Sequence, residues 1–365
     1  MKISSIISHL ETIAPPAYQE SYDNAGLLTG TPDRECTGVL TTLDCTEEIV
    51  FEAVSKNCNL IVAHHPIIFG GLKKINGKNY VEKTVIAAIK NDIAIYAIHT
   101  NLDNMLHGVN ARIADKLGLI NRNILLPKQS TQKKLYTYVP IADLEKVRSA
   151  IFAAGAGAIG NYSEAAFSHQ GEGSFKPNEK ANPYIGEIGK RHYENEIKLE
   201  TIFPSHLQQQ VVAALIQSHP YEEVAYGIVE LSNPNERSGS GLIGELPEAM
   251  DEKAFLEKIK QSFSLAVIKH TRLLKKPVRK VAVCGGAGSF LISKALAIGA
   301  DFYITSDIKY HEFFDANDRL VLADIGHYES EQFTIDQLHD ILLEKFPTFA
   351  VLKTALNTNP VAYYL

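Results

Sequence analysis

The stretch Asn59-Leu60-Ile61-Val62-Ala63-His64-His65-Pro66 carries the strongest structural signal in the chain. Its apolar, largely β-branched run predicts a short buried strand, and two adjacent histidines follow at the carboxyl end of that strand. Strand ends of this kind open onto a common crevice, where a neutral imidazole offers a nitrogen lone pair. His64 and His65 are therefore candidate ligands of a divalent metal ion.

The same pattern occurs twice more. One strand-like run is followed by His99 and, four residues later, by Asp103, and another leads to His327, with Glu331 four residues later. A single histidine beside a strand end is more often a hydrogen-bonded structural residue than a ligand, but three such sites in one chain favour metal binding. Nitrogen and oxygen ligands in this mixture suit zinc, iron or manganese better than calcium. The predicted ligands are His64, His65, Asp103, His327 and Glu331.

Composition limits the classes of protein to consider. The chain has 365 residues, more than a single hydrophobic core usually serves, so two or three domains are expected. With 45% hydrophobic and 21% charged residues it has the composition of an ordinary globular protein. The formal net charge of -6 gives no electrostatic reason to expect nucleic acid as a partner. No apolar stretch approaches the roughly 20 residues that span a bilayer, so no membrane partner is expected.

Cysteine usage and the amino terminus predict a cytoplasmic protein. Cys36, Cys45, Cys58 and Cys284 form no C-x-x-C pattern, so we interpret them as reduced thiols that take part in neither disulfides nor metal binding. The first 16 residues place isoleucines at helical spacing and lack a basic start followed by a continuous apolar run. They predict an amphipathic first helix and no export signal.

Strand and helix signals alternate in two parts of the chain. Between Gly38 and Ile98 they predict a largely parallel sheet covered by helices on both faces. A second unit of this kind begins near Arg279, and both run strand, loop, helix, strand and then polar residues. We interpret the correspondence as an internal duplication, although any two β/α units share a coarse layout. The predicted fold class is α/β, with two similar β/α lobes facing a metal cleft.

A stretch of different character separates the two lobes. Its predicted order is β-α-β followed by β-α-β, with a polar loop at residues 170–182, and it fits an inserted ferredoxin-like α+β domain of about a hundred residues. Polar, loop-like segments at residues 127–131 and 232–241 mark its edges. The predicted domains are residues 1–128 for the first lobe, 129–234 for the insert and 235–365 for the second lobe.

The two carboxylates extend what the candidate site could do. Asp103 and Glu331 carry negative charge that histidines lack, so a carboxylate could bridge two divalent ions about 4 Å apart. Such ions would lower the pKa of a water bound between them, so that it loses a proton and becomes a nucleophile at neutral pH. This nucleophile could hydrolyse an ester, phosphoester, amide or ring C–N bond. His99 is a candidate general acid or orienting donor, and the alternative is a strand-end histidine with a backbone partner.

Further polar residues are candidates for substrate contact. Asp307, Lys309 and His311 follow a predicted strand of the second lobe, in the place that the two adjacent histidines hold in the first. A lysine and a histidine there could neutralise a phosphate, and a solvated helix start explains them nearly as well.

Two other motifs are weak signals. Gly285-Gly286-Ala287-Gly288-Ser289 joins a strand to a helix and could cradle a phosphate, but it lacks both the G-x-G-x-x-G fingerprint and the lysine of a P-loop. His219-Pro220-Tyr221-Glu222-Glu223 could be mistaken for a second metal site. Its proline and the strand that follows favour a helix-to-strand connection.

Six motifs follow one another in a specific order through both lobes. They are Tyr22-Asp23-Asn24-Ala25-Gly26-Leu27, Ala63-His64-His65-Pro66 with Phe69-Gly70-Gly71, His99-Thr100-Asn101-Leu102-Asp103, Gly285-Gly286-Ala287-Gly288-Ser289, Thr305-Ser306-Asp307-Ile308-Lys309-Tyr310-His311, and Gly326-His327-Tyr328-Glu329-Ser330-Glu331. Together they resemble the GTP cyclohydrolase 1 type 2 homologs, also called the Nif-three-like family. The insert resembles the PII-like or CutA-like domain of the longer members. A tryptophan is frequent before the Asp-Asn pair in that family, whereas this chain has Tyr22.

The resemblance implies a site for two metal ions. One ion would be held by His65 and Asp103. The other would be held by His64 and His327, and Glu331 would touch both. The resemblance also implies a toroidal homohexamer in which the inserts meet as trimers.

Two functional hypotheses remain open at this stage. The leading one is a dinuclear metal-dependent hydrolase that acts on a nucleotide or phosphoester, with GTP as one candidate substrate and with His99 and Glu331 as catalytic residues. The alternative is a non-catalytic metal-binding protein with a regulatory or scaffold role, in which the insert senses a small molecule or sets the oligomer. Nucleic-acid binding is a third class, which the acidic balance disfavours.

Overall fold

The computed structural model describes residues 1–364. The chain forms two compact units, one made of Met1–Pro127 together with the chain from Glu236 onward, the other of Lys128–Asn235. Three sheets, of five, six and four strands, are combined with helices, so the architecture is mixed α/β as predicted. Within the described residues, no helix is both long and apolar enough to cross a membrane.

Strands and helices alternate through most of the chain. Up to the start of the second unit the elements are α1 (Ile3–Ile13), β1 (Gly26–Thr29), β2 (Val39–Thr42), α2 (Glu47–Ser55), β3 (Leu60–Ala63), α3 (Tyr80–Lys90), β4 (Ala94–Ala97), α4 (Thr100–Asp103), α5 (Val109–Leu117) and β5 (Ile120–Lys128). The second unit contains β6 (Gln132–Pro140), α6 (Leu144–Ala153), β7 (Ala166–Phe175), β8 (His192–Pro204), α7 (Gln208–Ser218) and β9 (Tyr226–Leu231).

The remaining elements complete the first unit. They are β10 (Asn235–Met250), α8 (Glu252–Phe263), β11 (Lys269–His270), β12 (Val278–Ala287), α9 (Ile292–Ala297), β13 (Phe302–Ser306), β14 (Val321–Asp324), α10 (His327–Glu331), α11 (Thr334–Lys345) and β15 (Val351–Lys353). Short 3-10 helices occur at Pro16–Tyr18, Ile141–Asp143, Ser205–Leu207, Ser289–Leu291 and Tyr310–Ala316.

The first sheet has the strand order β1-β4-β3-β2-β15. Its centre, β2, β3 and β4, is parallel, and every residue of these three strands is buried. Alternate side chains of β3 enter two cores, Leu60 and Val62 with α1, Ile61 and Ala63 with α2. A strand buried on both faces needs an apolar residue at every position, which explains the clear signal before His64.

The second sheet has the order β11-β14-β13-β12-β10-β5. Strands β12, β13 and β14 are parallel and sequential, and β11 lies antiparallel beside β14 just as β1 lies beside β4. Both sheets therefore share three sequential parallel strands with an antiparallel neighbour on the third. This common centre supports the interpretation of two similar lobes.

The sequence did not predict the start of β10, nor two strands that join the sheet of the other lobe. The prediction of loop at residues 232–241 is wrong from Asn235 onward, because β10 begins there and pairs antiparallel with β12. Strand β5, from before the second unit, extends the second sheet, while β15, near the end of the chain, pairs with β2 of the first. Such pairings depend on a distant partner more than on local propensity.

The Lys128–Asn235 unit has a four-stranded antiparallel sheet in the order β7-β8-β6-β9. With two helices in the order β-α-β-β-α-β, this is a ferredoxin-like topology. The predicted polar loop at residues 170–182 is wrong at its start, since residues 170–175 belong to β7 and pair with β8. Strand β7 is exposed over most of its length, so it has no apolar face for the sequence to reveal.

Candidate metal centre

Three strand ends deliver the predicted ligands to one place. His64 and His65 follow β3 directly, and His99 precedes α4, whose last residue is Asp103. From the second sheet, β14 leads into α10, which begins at His327 and ends at Glu331. Parallel strands of a sheet end at the same edge, so the histidines after β3 and β4 become neighbours.

His64 presents one ring nitrogen to the site without a hydrogen-bond partner. Its side chain is completely buried, and its Nδ1–H donates to the carbonyl of Ile98 at 2.8 Å, which leaves a lone pair on Nε2. That Nε2 lies 3.5 Å from Oδ1 of Asp103 and 4.0 Å from Oε2 of Glu331. Burial lowers the pKa of His64 to about 3, so the ring stays neutral.

The unpartnered atoms of this group fit a cation. Neither Nε2 of His64 nor Oδ1 of Asp103 has a hydrogen-bond partner, although both atoms are buried. Buried polar atoms are nearly always paired, so these two facing acceptors call for a shared partner, and a positive group between them would supply it. A divalent ion bound by a neutral imidazole and a carboxylate meets that requirement.

A second group of three ligands lies beside the first. Nε2 of His65 and Nε2 of His327 are 3.0 Å and 3.1 Å from Oε2 of Glu331, and 3.4 Å from each other. Ligand atoms bound about 2.1 Å from one tetrahedral ion lie about 3.4 Å apart, so this spacing suits a single ion.

Charge in the second group also favours a cation. Burial alone would lower the pKa values of His65 and His327, but hydrogen bonds to carboxylates outweigh it and raise them to about 10 and about 11. The negative potential that retains protons on these rings also attracts a metal ion, which would replace those protons.

Glu331 belongs to both groups. It is 3% exposed, and the hydrogen bonds from His65 and His327 overcome the effect of burial and hold its pKa well below the usual range. Burial, with the charge of Glu331 added, instead raises the pKa of Asp103 well above its ordinary value. Two carboxylates this close are both stably ionised only when further positive charge lies between them.

The absence of a side chain at Gly286 leaves room for the carboxylate of Glu331. Its φ of +62° is in the left-handed region, and a Cβ added there would lie 2.5 Å from Oε1 of Glu331. Gly286, near the end of β12, thus allows a close approach between this strand and the α10 carboxylate.

Carboxylates orient three of the histidines. Nδ1 of His65 is 2.8 Å from Asp44, and Nδ1 of His99 is 2.8 Å from Asp23. Such partners fix the ring orientation and leave Nε2 for a ligand. Sequence reasoning missed both acids, although Asp23 lies within one of the six motifs and Asp44 follows the end of β2.

Asp307 orients the third of these histidines, His327. Its Oδ2 lies 2.7 Å from Nδ1 of His327, and this hydrogen bond lowers the pKa of Asp307. Substrate contact was predicted for this residue, whereas its contact here is to a candidate ligand.

The other two predicted substrate residues lie apart from the candidate ligands. The backbone N–H of Lys309 donates to Glu312 at the start of a 3-10 helix, and the ring of His311 stacks on Phe314 with centroids 6.3 Å apart. Neither residue lines the cavity that contains the ligand groups.

His99 is close enough to the ligands to act with them. Its ring centroid lies 5.3 Å from that of His64 and 5.4 Å from that of His65. One ring nitrogen from each of these histidines falls within a common set whose members are all less than 4.8 Å apart. His99 is thus placed as a further ligand or as a proton donor beside the ions.

The grouping of ligands differs from the one that the resemblance implies. The structure brings together His64, Asp103 and Glu331, and separately His65, His327 and Glu331. Relative to the implied assignment, the two adjacent histidines exchange partners, and Glu331 belongs to both groups.

Four of the five candidate ligands, all except the fully buried His64, line a cavity of about 430 Å³. Aromatic side chains form part of its wall, and four of them are more than half exposed: Tyr22, Phe69, Tyr80 and Phe290. None of the lining residues is a lysine or an arginine. An anionic group that enters this cavity would therefore have to be neutralised by bound metal ions.

Comparison with known proteins identifies the family. The family model Duf34/NIF3 (NGG1p interacting factor 3) matches residues 1–360. A relative from Halalkalibacterium halodurans is 39% identical over the full length of both chains, and one from Bacillus subtilis is 41% identical over 88% of this chain and 87% of its own. Both are named GTP cyclohydrolase 1 type 2 homolog.

Solved structures agree with this match. A Bacillus cereus protein related to NIF3 is 39% identical and superposes with a TM-score of 0.87, covering 100% of this chain and 99% of its own. A Staphylococcus aureus protein that is 30% identical gives a TM-score of 0.81 over the same shares of the two chains. The resemblance seen in the sequence is thereby confirmed, and the chain belongs to the Duf34/NIF3 family.

Proposed function

We propose that this protein binds two divalent metal ions and is a metal-dependent hydrolase of a nucleotide or phosphoester. One observation carries the proposal: two groups of three candidate ligands share Oε2 of Glu331. His64 and Asp103 would hold one ion with it, and His65 and His327 the other. Zinc, iron and manganese all suit this ligand set.

The side chains around the ions would have distinct roles. Two divalent ions, if held by these residues, would supply an acidified water and would polarise the bond that is attacked. Asp44, Asp23 and Asp307 keep the imidazole rings turned so that Nε2 faces the cavity. His99 lies beside both groups without belonging to the bridging set, and it would donate a proton to the leaving group.

The cavity wall favours a substrate with a flat ring over a small inorganic ester. Tyr22 and Phe69 lie with ring centroids 6.4 Å apart at the cavity, where they offer aromatic faces to a base. Phosphate oxygens would have to bind the ions, since the lining residues include no basic side chain other than histidine. The relatives' name makes GTP one candidate, with hydrolysis of a ring C–N bond as the reaction.

The wider assembly is part of the proposal. The resemblance supports a cytoplasmic homohexamer with a toroidal shape and trimeric contacts through a PII-like insert. The proposed domains remain residues 1–128, 129–234 and 235–365.

Metal content and turnover test the proposal together. Protein purified without chelator is expected to contain about two divalent ions per chain and to hydrolyse GTP or a generic phosphoester, and Glu331→Gln is expected to abolish both properties. The control Glu344→Gln changes an exposed carboxylate of α11 and should leave both intact. Metal-replete protein whose turnover equals that of Glu331→Gln would contradict a hydrolase.

That negative result would favour a non-catalytic regulatory or scaffold protein. The Lys128–Asn235 unit supports this second candidate, because it is a compact unit with its own cavity and contributes no residue to the candidate ligand groups.

A further inference from the structure

The Lys128–Asn235 unit contains a cavity of about 570 Å³, a size suited to a small organic molecule. Its wall comes from β7, from the segment that follows β7, from the middle of β8 and from residues 221–225. Nothing in the metal chemistry proposed above uses this cavity.

Aromatic rings make up one side of it. Tyr221 is the central ring, with centroids 5.9 Å from Phe175 and 6.2 Å from Tyr184. Tyr138 also lines the cavity. Several aromatic faces around one space are the arrangement with which proteins hold organic cations, because the face of each ring is negative.

The charged residues that line this cavity are mainly acidic, which suits a cationic ligand. Four carboxylates line the cavity, those of Glu172, Glu196, Glu222 and Glu223. The lysines that line it are Lys176 and Lys198, and Nζ of Lys198 is 2.6 Å from Glu200, a carboxylate outside the lining. The wall therefore has an excess of negative charge.

Glu196 is a carboxylate built into the wall. It is 8% exposed and lies opposite Gly171 in the pairing of β7 with β8. A Cβ at Gly173 would be 2.2 Å from Oε2 of Glu196, so only glycine leaves room for this carboxylate. Burying a carboxylate is costly without compensation of its charge. The Tyr221 hydroxyl is a donor beside Glu196, but this donor is neutral and supplies no positive charge.

The His219-Pro220-Tyr221-Glu222-Glu223 motif holds the central ring in place. Nδ1 of His219 accepts from the backbone N–H of Tyr221 at 3.1 Å, so Nε2–H donates to the carbonyl of Tyr138 at 2.9 Å. Both ring nitrogens are thereby used, and His219 has no lone pair left for a metal. Burial and then the neighbouring Glu196 carboxylate raise the pKa of Tyr221, which keeps the phenol protonated.

Other ligand classes fit less well. Among residues 1–364, every group of three or more histidine, cysteine and acidic ligand atoms close enough for a metal ion lies outside this unit. An anion such as a nucleotide phosphate would meet four carboxylates. We propose that the cavity formed by Phe175, Tyr184, Tyr221 and Glu196 binds a small organic cation that carries an ammonium group.

Choline and its neutral isostere 3,3-dimethyl-1-butanol test the proposal with the full-length protein. The two probes have the same shape and differ in charge, and binding is followed by saturation-transfer NMR and by calorimetry. We expect choline to bind and the alcohol to bind at least about ten-fold more weakly, because charge is the feature recognised. Equal binding of the two probes, or no binding of choline, would overturn the proposal.

Two variants locate the binding. Glu196→Gln keeps the shape of the buried side chain. Tyr184→Leu changes a residue that is 60% exposed, so this substitution should not disturb the fold of the protein. Each is expected to weaken choline binding about ten-fold. The control Tyr162→Leu alters an exposed tyrosine of the same unit outside the cavity and should bind choline as the wild type does. Choline binding that survives in Tyr184→Leu and in a folded Glu196→Gln would place the ligand elsewhere and refute the assignment.

Discussion

Nε2 of His65 and Nε2 of His327 lie 3.4 Å apart although 262 positions separate these residues in the chain. The first belongs to the end of β3 and the second to the start of α10, so each sheet contributes one ring. Oε2 of Glu331 accepts a hydrogen bond from each ring, so this pair joins candidate ligands from the two lobes.

Substitution of single ligands should change the number of bound ions in different ways. Asp103→Asn is expected to retain about one ion per chain, because Asp103 belongs to one group of ligands, whereas Glu331→Gln should lose both. Elemental analysis of the purified variants measures this directly. Equal metal content in the two variants would show that the ions do not bind through separate groups.

The carboxylate behind His65 should control metal affinity without touching the metal. Asp44→Asn weakens the hydrogen bond that orients the ring, and we expect a loss of about 10- to 100-fold in affinity, measured by competition with a chelator. Asp33→Asn, at an exposed position away from the site, is the control and should change nothing. Unchanged affinity in Asp44→Asn would refute the orienting role.

A steric prediction concerns the glycine beside Glu331. Gly286→Ala adds a Cβ 2.5 Å from Oε1 of Glu331 at a residue with φ +62°, so it should lower both thermal stability and metal content. Gly299→Ala is the matched control, since φ there is +71° but no atom lies within 4 Å of the added Cβ. The control should cost about 1 kcal/mol of stability through backbone strain alone and keep its metal. Full metal content in Gly286→Ala would contradict the packing argument.

Acid sensitivity should include a contribution from Asp23. Burial opposes ionisation, but hydrogen bonds from His99 and Thr100 outweigh it and lower the pKa of Asp23 to about 2. A carboxyl whose pKa is lower in the folded state stabilises the fold above its unfolded pKa and loses that effect as the pH falls through the folded value. The contribution, about 2 kcal/mol, should be present above about pH 4 and disappear towards pH 2.

Urea denaturation between pH 2.5 and 5 measures it. The difference in unfolding free energy between wild type and Asp23→Asn should shrink as the pH falls across this range. A difference that stays constant with pH would show that Asp23 is not ionised against His99 in the folded protein.

Much of the first sheet could be predicted from local sequence. Its central strands are buried on both faces, and a strand in that position has to be apolar at each residue. Residues 170–175 and the start of β10 could not be found in this way. These residues are partly exposed. Residues 170–175 are a strand because they pair with β8, and β10 is a strand because it lies between β12 and β5 in the second sheet.

Sequence by itself indicated the candidate ligands, because histidines that follow buried strands emerge at a sheet edge and each of the two carboxylates lies four residues after such a histidine. Only the tertiary structure decided how they combine. It placed His64 with Asp103 and His65 with His327, and it supplied the orienting acids, among them Asp44. Those relations join segments far apart in the chain, and they arise from the packing of two sheets, a long-range property that no local pattern of residues encodes.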